Sequence, residues 1–139
     1  MTKIIKKILI VEDNPVMVRM LQEVLKRDGY EVDTAFSGAE GLARAKSNSP
    51  LVILLDIILP DIDGKEVCRR LKIDIQTRDI PIVFLTITLD PRKDQGSQTI
   101  IIDGQTYPAM AKPMHTRRLL SILKKETNKR IQQLKKKPS

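Results

Sequence analysis

LVILLDIILPDIDG, residues 51–64, is the most hydrophobic run of the chain, and one carboxylate, Asp56, stands inside it. A short aliphatic stretch bounded by Pro50 and by the turn residues Pro60, Asp61, Asp63 and Gly64 reads as a strand buried on both faces. Strands of that kind belong to parallel sheets covered by helices. A charge inside such a core must be solvated or paired, so Asp56 is expected where the strand reaches the edge of the sheet.

Working outward, residues 8–11 (ILIV) form another buried strand and end in Glu12-Asp13. Asn14 can cap a helix beginning at Pro15, and Met17, Met20, Leu21, Val24 and Leu25 recur at helical spacing until Gly29 supplies a stop. Residues 31–35 alternate as a second strand, and Ser37 with Glu40 has the spacing of a capping box for a helix carrying Leu42 and Ala45. Ser47-Asn48-Ser49-Pro50 breaks that helix. After the opening stretch comes a helix with Val67, Cys68 and Leu71 on one side, then a fourth buried strand at 81–86, PIVFLT.

Strands alternating with helices through short linkers predict an α/β fold: a doubly wound, five-stranded parallel sheet of flavodoxin-like order 2-1-3-4-5, with helices on both faces. The fifth unit is irregular. Pro91 and Gly96 leave at most one or two helical turns near residues 91–95, so the fourth helix is expected to be short or missing. The β-branched run 99–102 and the turn pair Asp103-Gly104 predict extended chain and a hairpin, and Pro108 places the last strand at the sheet edge. After Pro113, Leu119, Leu120, Ile122 and Leu123 form a core-facing helical set. Ile131 and Leu134 continue the spacing beyond the length a domain-closing helix needs, so the helix is expected to protrude and KKKPS to fray. The expected division is one domain over 1–125 and a basic extension over 126–139.

A chain of 139 residues can bury a single core without disulfides or structural metal. Cys68 is the only cysteine and His115 the only histidine, which excludes an internal disulfide and a zinc cluster and fits a reduced, cytoplasmic setting. The N-terminus lacks the pattern of a signal peptide, and no apolar run approaches the roughly 20 residues of a membrane span. Of the net charge of +8, +6 lies between Lys124 and Lys137. This tail has no aromatic residue to stack on bases and reads as a solvated helix end, so nucleic acid is not an expected partner. A helix pairing two copies of the chain through Leu120, Leu123, Thr127, Ile131 and Leu134 is the other reading of the same segment.

Taken singly, Asp56 is an ordinary loop acid and Lys112 a solvated lysine. Together they suggest chemistry, because ligands of doubly wound sheets sit beyond the carboxyl ends of the strands, where Glu12, Asp13, Asp56 and Thr86 all fall. Converging carboxylates are stable mainly around a hard divalent cation, and Mg²⁺ suits oxygen ligands. Asp56 can serve as a nucleophile that accepts a phosphoryl group, with Thr86 hydrogen-bonding one phosphoryl oxygen and Lys112 pairing with another.

The set Val11-Glu12-Asp13-Asn14, the run from Leu55 to Gly64, Leu85-Thr86 and Ala111-Lys112-Pro113 resembles the receiver domain of bacterial two-component response regulators, in order and over nearly the whole chain. The resemblance implies a signalling module rather than an enzyme acting on other molecules. It implies Asp56 as phospho-acceptor, with Glu12, Asp13, Asp56 and the backbone carbonyl of Ile58 as Mg²⁺ ligands. Thr86 and Lys112 would sense the phosphoryl group. A sensor histidine kinase or phosphotransfer protein would donate it, and the change would reach the face of the fourth helix, fifth strand and fifth helix.

Three departures stand out. Ile87 replaces the small residue usual after the Thr, which predicts slow phosphorylation by small donors such as acetyl phosphate. Ala109 replaces the usual aromatic three positions before the Lys, with Tyr107 two residues earlier on the same strand face. The gap from Thr86 to Lys112 is longer than usual, which predicts a rebuilt output face. The leading expectation is a stand-alone receiver, the alternative a pseudo-receiver acting as an interaction module without phosphorylation. An aspartyl-nucleophile phosphatase fits less well, since Ile58 stands where such enzymes place a second Asp.

Overall fold

The computed structural model describes residues 4–86, 98–112 and 115–136. In chain order the elements are β1 (Lys7–Val11), α1 (Pro15–Arg27), β2 (Glu31–Ala35), α2 (Gly38–Asn48), β3 (Val52–Asp56), α3 (Gly64–Ile73), β4 (Ile82–Thr86), β5 (Thr99–Ile102), β6 (Gln105–Ala111) and α4 (Thr116–Lys136). The local signals work as their chemistry dictates. Asn14 caps α1 by accepting from the backbone N–H groups of Val16 and Met17 at 2.9 and 3.2 Å. Ser37 accepts from the N–H of Glu40, and the Glu40 carboxylate reaches back to the N–H of Phe36.

Strand order is β2-β1-β3-β4-β6-β5. The first five are parallel in the expected doubly wound order, and β5 adds a sixth, antiparallel strand outside β6. Asp103 and Gly104 close that hairpin with φ of 51° and 81°, the left-handed conformations that a tight turn between twisted strands requires. The expectation that Pro108 marks an edge strand is corrected, because β6 lies between β4 and β5. Ala109 donates to the Gln98 carbonyl at 3.2 Å, so Pro108 and Thr99 form a pair without ladder bonds, and pairing with β4 begins one residue later at Ala109. The N–H that Pro108 lacks would face β4 at that strand's first residue, so the loss falls at the end of the ladder.

Alternation along the strands splits the core into two layers. Leu9, Val11, Ile53, Leu55 and Phe84 face α2 and α3, meeting Ala45, Val67, Cys68 and Leu71. Ile8, Ile10, Val52, Leu54 and Leu85 face α1 and α4, meeting Val18, Leu21, Leu25, Leu119 and Leu123. Helices therefore cover both faces.

α4 runs unbroken across position 125, and it does not protrude as expected. Thr127 is buried, and Ile131 and Leu134 pack against the second core layer. Most of the stripe considered for pairing two copies is thus used within the chain. Lys135 and Lys136, expected to fray, are helical. The expected short fourth helix near 91–95, Ile87, Pro113 and the last three residues lie outside the described residues. Among the described residues no helix is long and apolar enough to cross a membrane.

Candidate functional site

Strand register brings the candidate residues to one sheet edge. Val11 pairs with Leu55, so Glu12 and Asp56 follow on adjacent strands at the same level. Asp56 pairs with Leu85, which puts Thr86 one residue further, and Thr86 pairs with Ala111, which puts Lys112 next. The N–H of Lys112 donates to the carbonyl of Thr86 at 3.0 Å.

Glu12, Asp13 and Asp56 each offer a carboxylate oxygen, and these oxygens lie within 4.8 Å of one another. Glu12 is fully buried, Asp56 is 6% exposed, and Asp13 is open to solvent. Buried carboxylates need counter-charge. Lys112 supplies it: its Nζ donates to Oε1 of Glu12 and, at 3.0 Å, to Oδ2 of Asp56. Burial by itself would lower the Lys112 pKa, but the hydrogen bonds to Glu12 and Asp56 and their charges outweigh it and raise it. The second oxygen of each carboxylate is also engaged. Oε2 of Glu12 accepts from the N–H of Asn14 at 3.2 Å, and Oδ1 of Asp56 from the N–H of Ile58 at 3.3 Å.

The loop after β3 is held in place by two contacts that sequence reasoning missed. Asp61 reaches the start of α2, where Oδ1 accepts from Gly38 at 2.7 Å and Oδ2 from Ala39 at 2.9 Å. The N–H groups of Ala39 and Gly38 hold its carboxyl below the usual carboxylate range. Gly64 donates to the carbonyl of Ile57 at 2.7 Å, and a Cβ there would stand 2.2 Å from the backbone oxygen of Asp56. Nothing local marks the Asp61 contact: it looks like any turn acid, and its partners are 22 and 23 positions away.

The side chains of Glu12, Asp13, Asp56 and Lys112 thus meet, and Thr86 is fully buried at the end of the strand between those of Asp56 and Lys112. Ala109, which stands where the family usually has an aromatic, is buried opposite Phe84. Tyr107 does not take over at the site. Its ring packs edge-on to Phe84 with centroids 5.8 Å apart, and its hydroxyl donates to Gln105 at 2.9 Å. Burial, with a hydrogen bond to Cys68, pushes the Tyr107 pKa up.

The sequence matches the response regulator receiver domain over residues 8–124. The chain belongs to that family. This receiver is 44% identical over 104 residues to the response regulator PleD of Caulobacter vibrioides, covering 73% of this chain and 23% of PleD. It therefore spans about a quarter of that relative. It is 32% identical over 119 residues to the polar-differentiation response regulator DivK of Brucella ovis, covering 86% of this chain and 94% of DivK. Among solved structures, it matches the receiver domain of a sensor histidine kinase from Pseudomonas aeruginosa with a TM-score of 0.76 and 26% identity, covering 90% and 99% of the two chains; that structure holds magnesium in its active site cleft. Receivers are signalling modules of two-component systems, working with histidine kinases or phosphotransfer proteins and binding Mg²⁺ at an acidic pocket.

Proposed function

We propose that this receiver accepts a phosphoryl group on Asp56 from a histidine kinase or phosphotransfer protein, and that it does so as a stand-alone module. The observation that carries the reading is the convergence of Glu12, Asp13, Asp56 and Lys112 at one sheet edge. In the transfer, an Asp56 carboxylate oxygen attacks phosphorus, a P–O bond forms, the P–N bond to the donor imidazole breaks, and the imidazole leaves. Lys112 lies where it can pair with a phosphoryl oxygen, and Thr86 ends the neighbouring strand where its hydroxyl can bond another. The match to DivK, which spans nearly that whole protein, supports the stand-alone reading.

The donor set fits Mg²⁺, since it offers only hard carboxylate oxygens, with neither His nor Cys. Glu12, Asp13 and Asp56 would hold the ion, with the carbonyl of Ile58, two residues past the Asp56 strand end, as a further ligand. The ion would offset the charge of the incoming phosphoryl group. The signalling face would be built from the β5–β6 hairpin and α4.

The pseudo-receiver reading has one observation in its favour: Lys112 pairs with both buried carboxylates and so offsets part of their charge. Titration with beryllofluoride and Mg²⁺, which together mimic an aspartyl phosphate, separates the two. Amide shifts around Asp56, Thr86 and Lys112, absent in Asp56→Asn, are expected, and an unchanged spectrum would establish the pseudo-receiver.

A further inference from the structure

The β5–β6 hairpin extends the sheet past the helix that covers this side. α4 rests against β3, and between α4 and the hairpin lies an open groove of about 500 Å³. Thr99, Thr106 and Pro108 line its sheet side. Arg118, Ile122, Lys125 and Lys129 line its helix side, at intervals that place them on one stripe. The charge of this groove is one-sided. Its single acid, Glu126, is paired with Lys129 at 3.3 Å, whereas Arg118 and Lys125 have no ion pair among the described residues. The sheet side carries no charge to balance them.

The edge of β5 is also open. Gln98 and Ala109 form a hydrogen-bonded pair, so Thr99 and Ile101 turn their backbone N–H and C=O away from β6. No strand pairs with that edge among the described residues, and the Ile101 side chain is 69% exposed. Gln98 through Ile102 carries no charge, although edge strands are commonly protected by one.

We propose that this groove and edge dock an extended, acidic segment of a partner protein. The segment would add a strand to β5, with carboxylates on alternate residues directed toward Arg118 and Lys125. Nucleic acid suits the groove less well. No aromatic side chain lines it for base stacking, Glu126 stands within it, and the threonine methyls, Pro108 and Ile122 offer aliphatic contact. The inference rests on the reading of this face as the signalling surface and specifies the chemistry of what binds there.

The test is an NMR titration of the full chain with acetyl-Glu-Val-Glu-Val-Glu-Val-amide, alongside the peptide with Lys in place of Glu and an oligothymidylate. Shifts at Thr99, Ile101, Thr106 and Ile122 are expected with the acidic peptide only. Affinity should fall with added salt and drop about 10-fold in Arg118→Glu/Lys125→Glu. Unchanged affinity in that variant, or shifts confined to other surfaces, would overturn the proposal, and tighter groove binding by the oligothymidylate would reassign the site to nucleic acid. Beryllofluoride shifts around Asp56 report separately on phosphorylation: in the variant they should persist while docking weakens, and a parent chain that shows them but does not dock the acidic peptide would overturn the groove alone.

Discussion

The ammonium of Lys112 lies 3.0 Å from Oδ2 of Asp56 and also donates to Oε1 of Glu12, joining strand ends that are 56 and 100 positions away in the chain. The three side chains are 13%, 8% and 1% exposed, so two buried acids depend on one lysine for counter-charge.

Lys112→Met should therefore destabilise the metal-free protein by about 3 kcal/mol, the usual cost of stripping the partner from buried charges. Because the folded Lys112 pKa is raised, its contribution is present through neutral pH and fades only as pH climbs past the ordinary lysine range. Mg²⁺ should recover more stability in the variant than in the parent. Urea unfolding in chelator and in Mg²⁺ measures both, and coincident midpoints in chelator would show that Lys112 carries none of this load.

Asp61 ties the loop after β3 to α2 through two backbone N–H groups. Its folded pKa is lowered, so its contribution is full above the ordinary carboxylate range and is lost as pH falls through the lowered value. Asp61→Asn should be less stable than the parent at pH 6, and the gap should close toward pH 3. A gap that stays constant over that range of urea midpoints would mean the carboxylate charge is irrelevant.

Gly64→Ala introduces a Cβ 2.2 Å from the Asp56 carbonyl and 2.7 Å from the Ile57 Cα. Backbone atoms cannot rotate away, so α3 must shift at a cost of about 2 kcal/mol. The shift acts on the residue bearing the candidate nucleophile, so beryllofluoride affinity should weaken together with thermal stability. An unaltered affinity would separate the helix position from the site.

Ile131 and Leu134 pack against the core layer shared by α1 and α4. Each alanine substitution should cost about 1 kcal/mol, the scale for removing partly buried aliphatic carbons. Deleting residues 128–139 should cost at least as much as the two combined. Thermal unfolding of the truncated chain checks this, and an unchanged midpoint would return the segment to the role of a solvated tail.

The strands around Asp56, the helices from Asn14 and Ser37, the hairpin at Asp103-Gly104 and the placement of the candidate residues Glu12, Asp13, Asp56, Thr86 and Lys112 at strand ends were legible in the sequence. Their signals are local: aliphatic runs, capping spacings, a turn pair, and polar residues placed where strands end. The doubly wound order then follows from a small set of allowed crossovers. Long-range contacts decided the rest. Lys112 pairing with Glu12, Asp61 clamping α2, Pro108 accommodated inside the sheet, and α4 laid along the core each depend on partners far away in the chain. Periodicity states which face a residue presents, and only packing decides what meets that face.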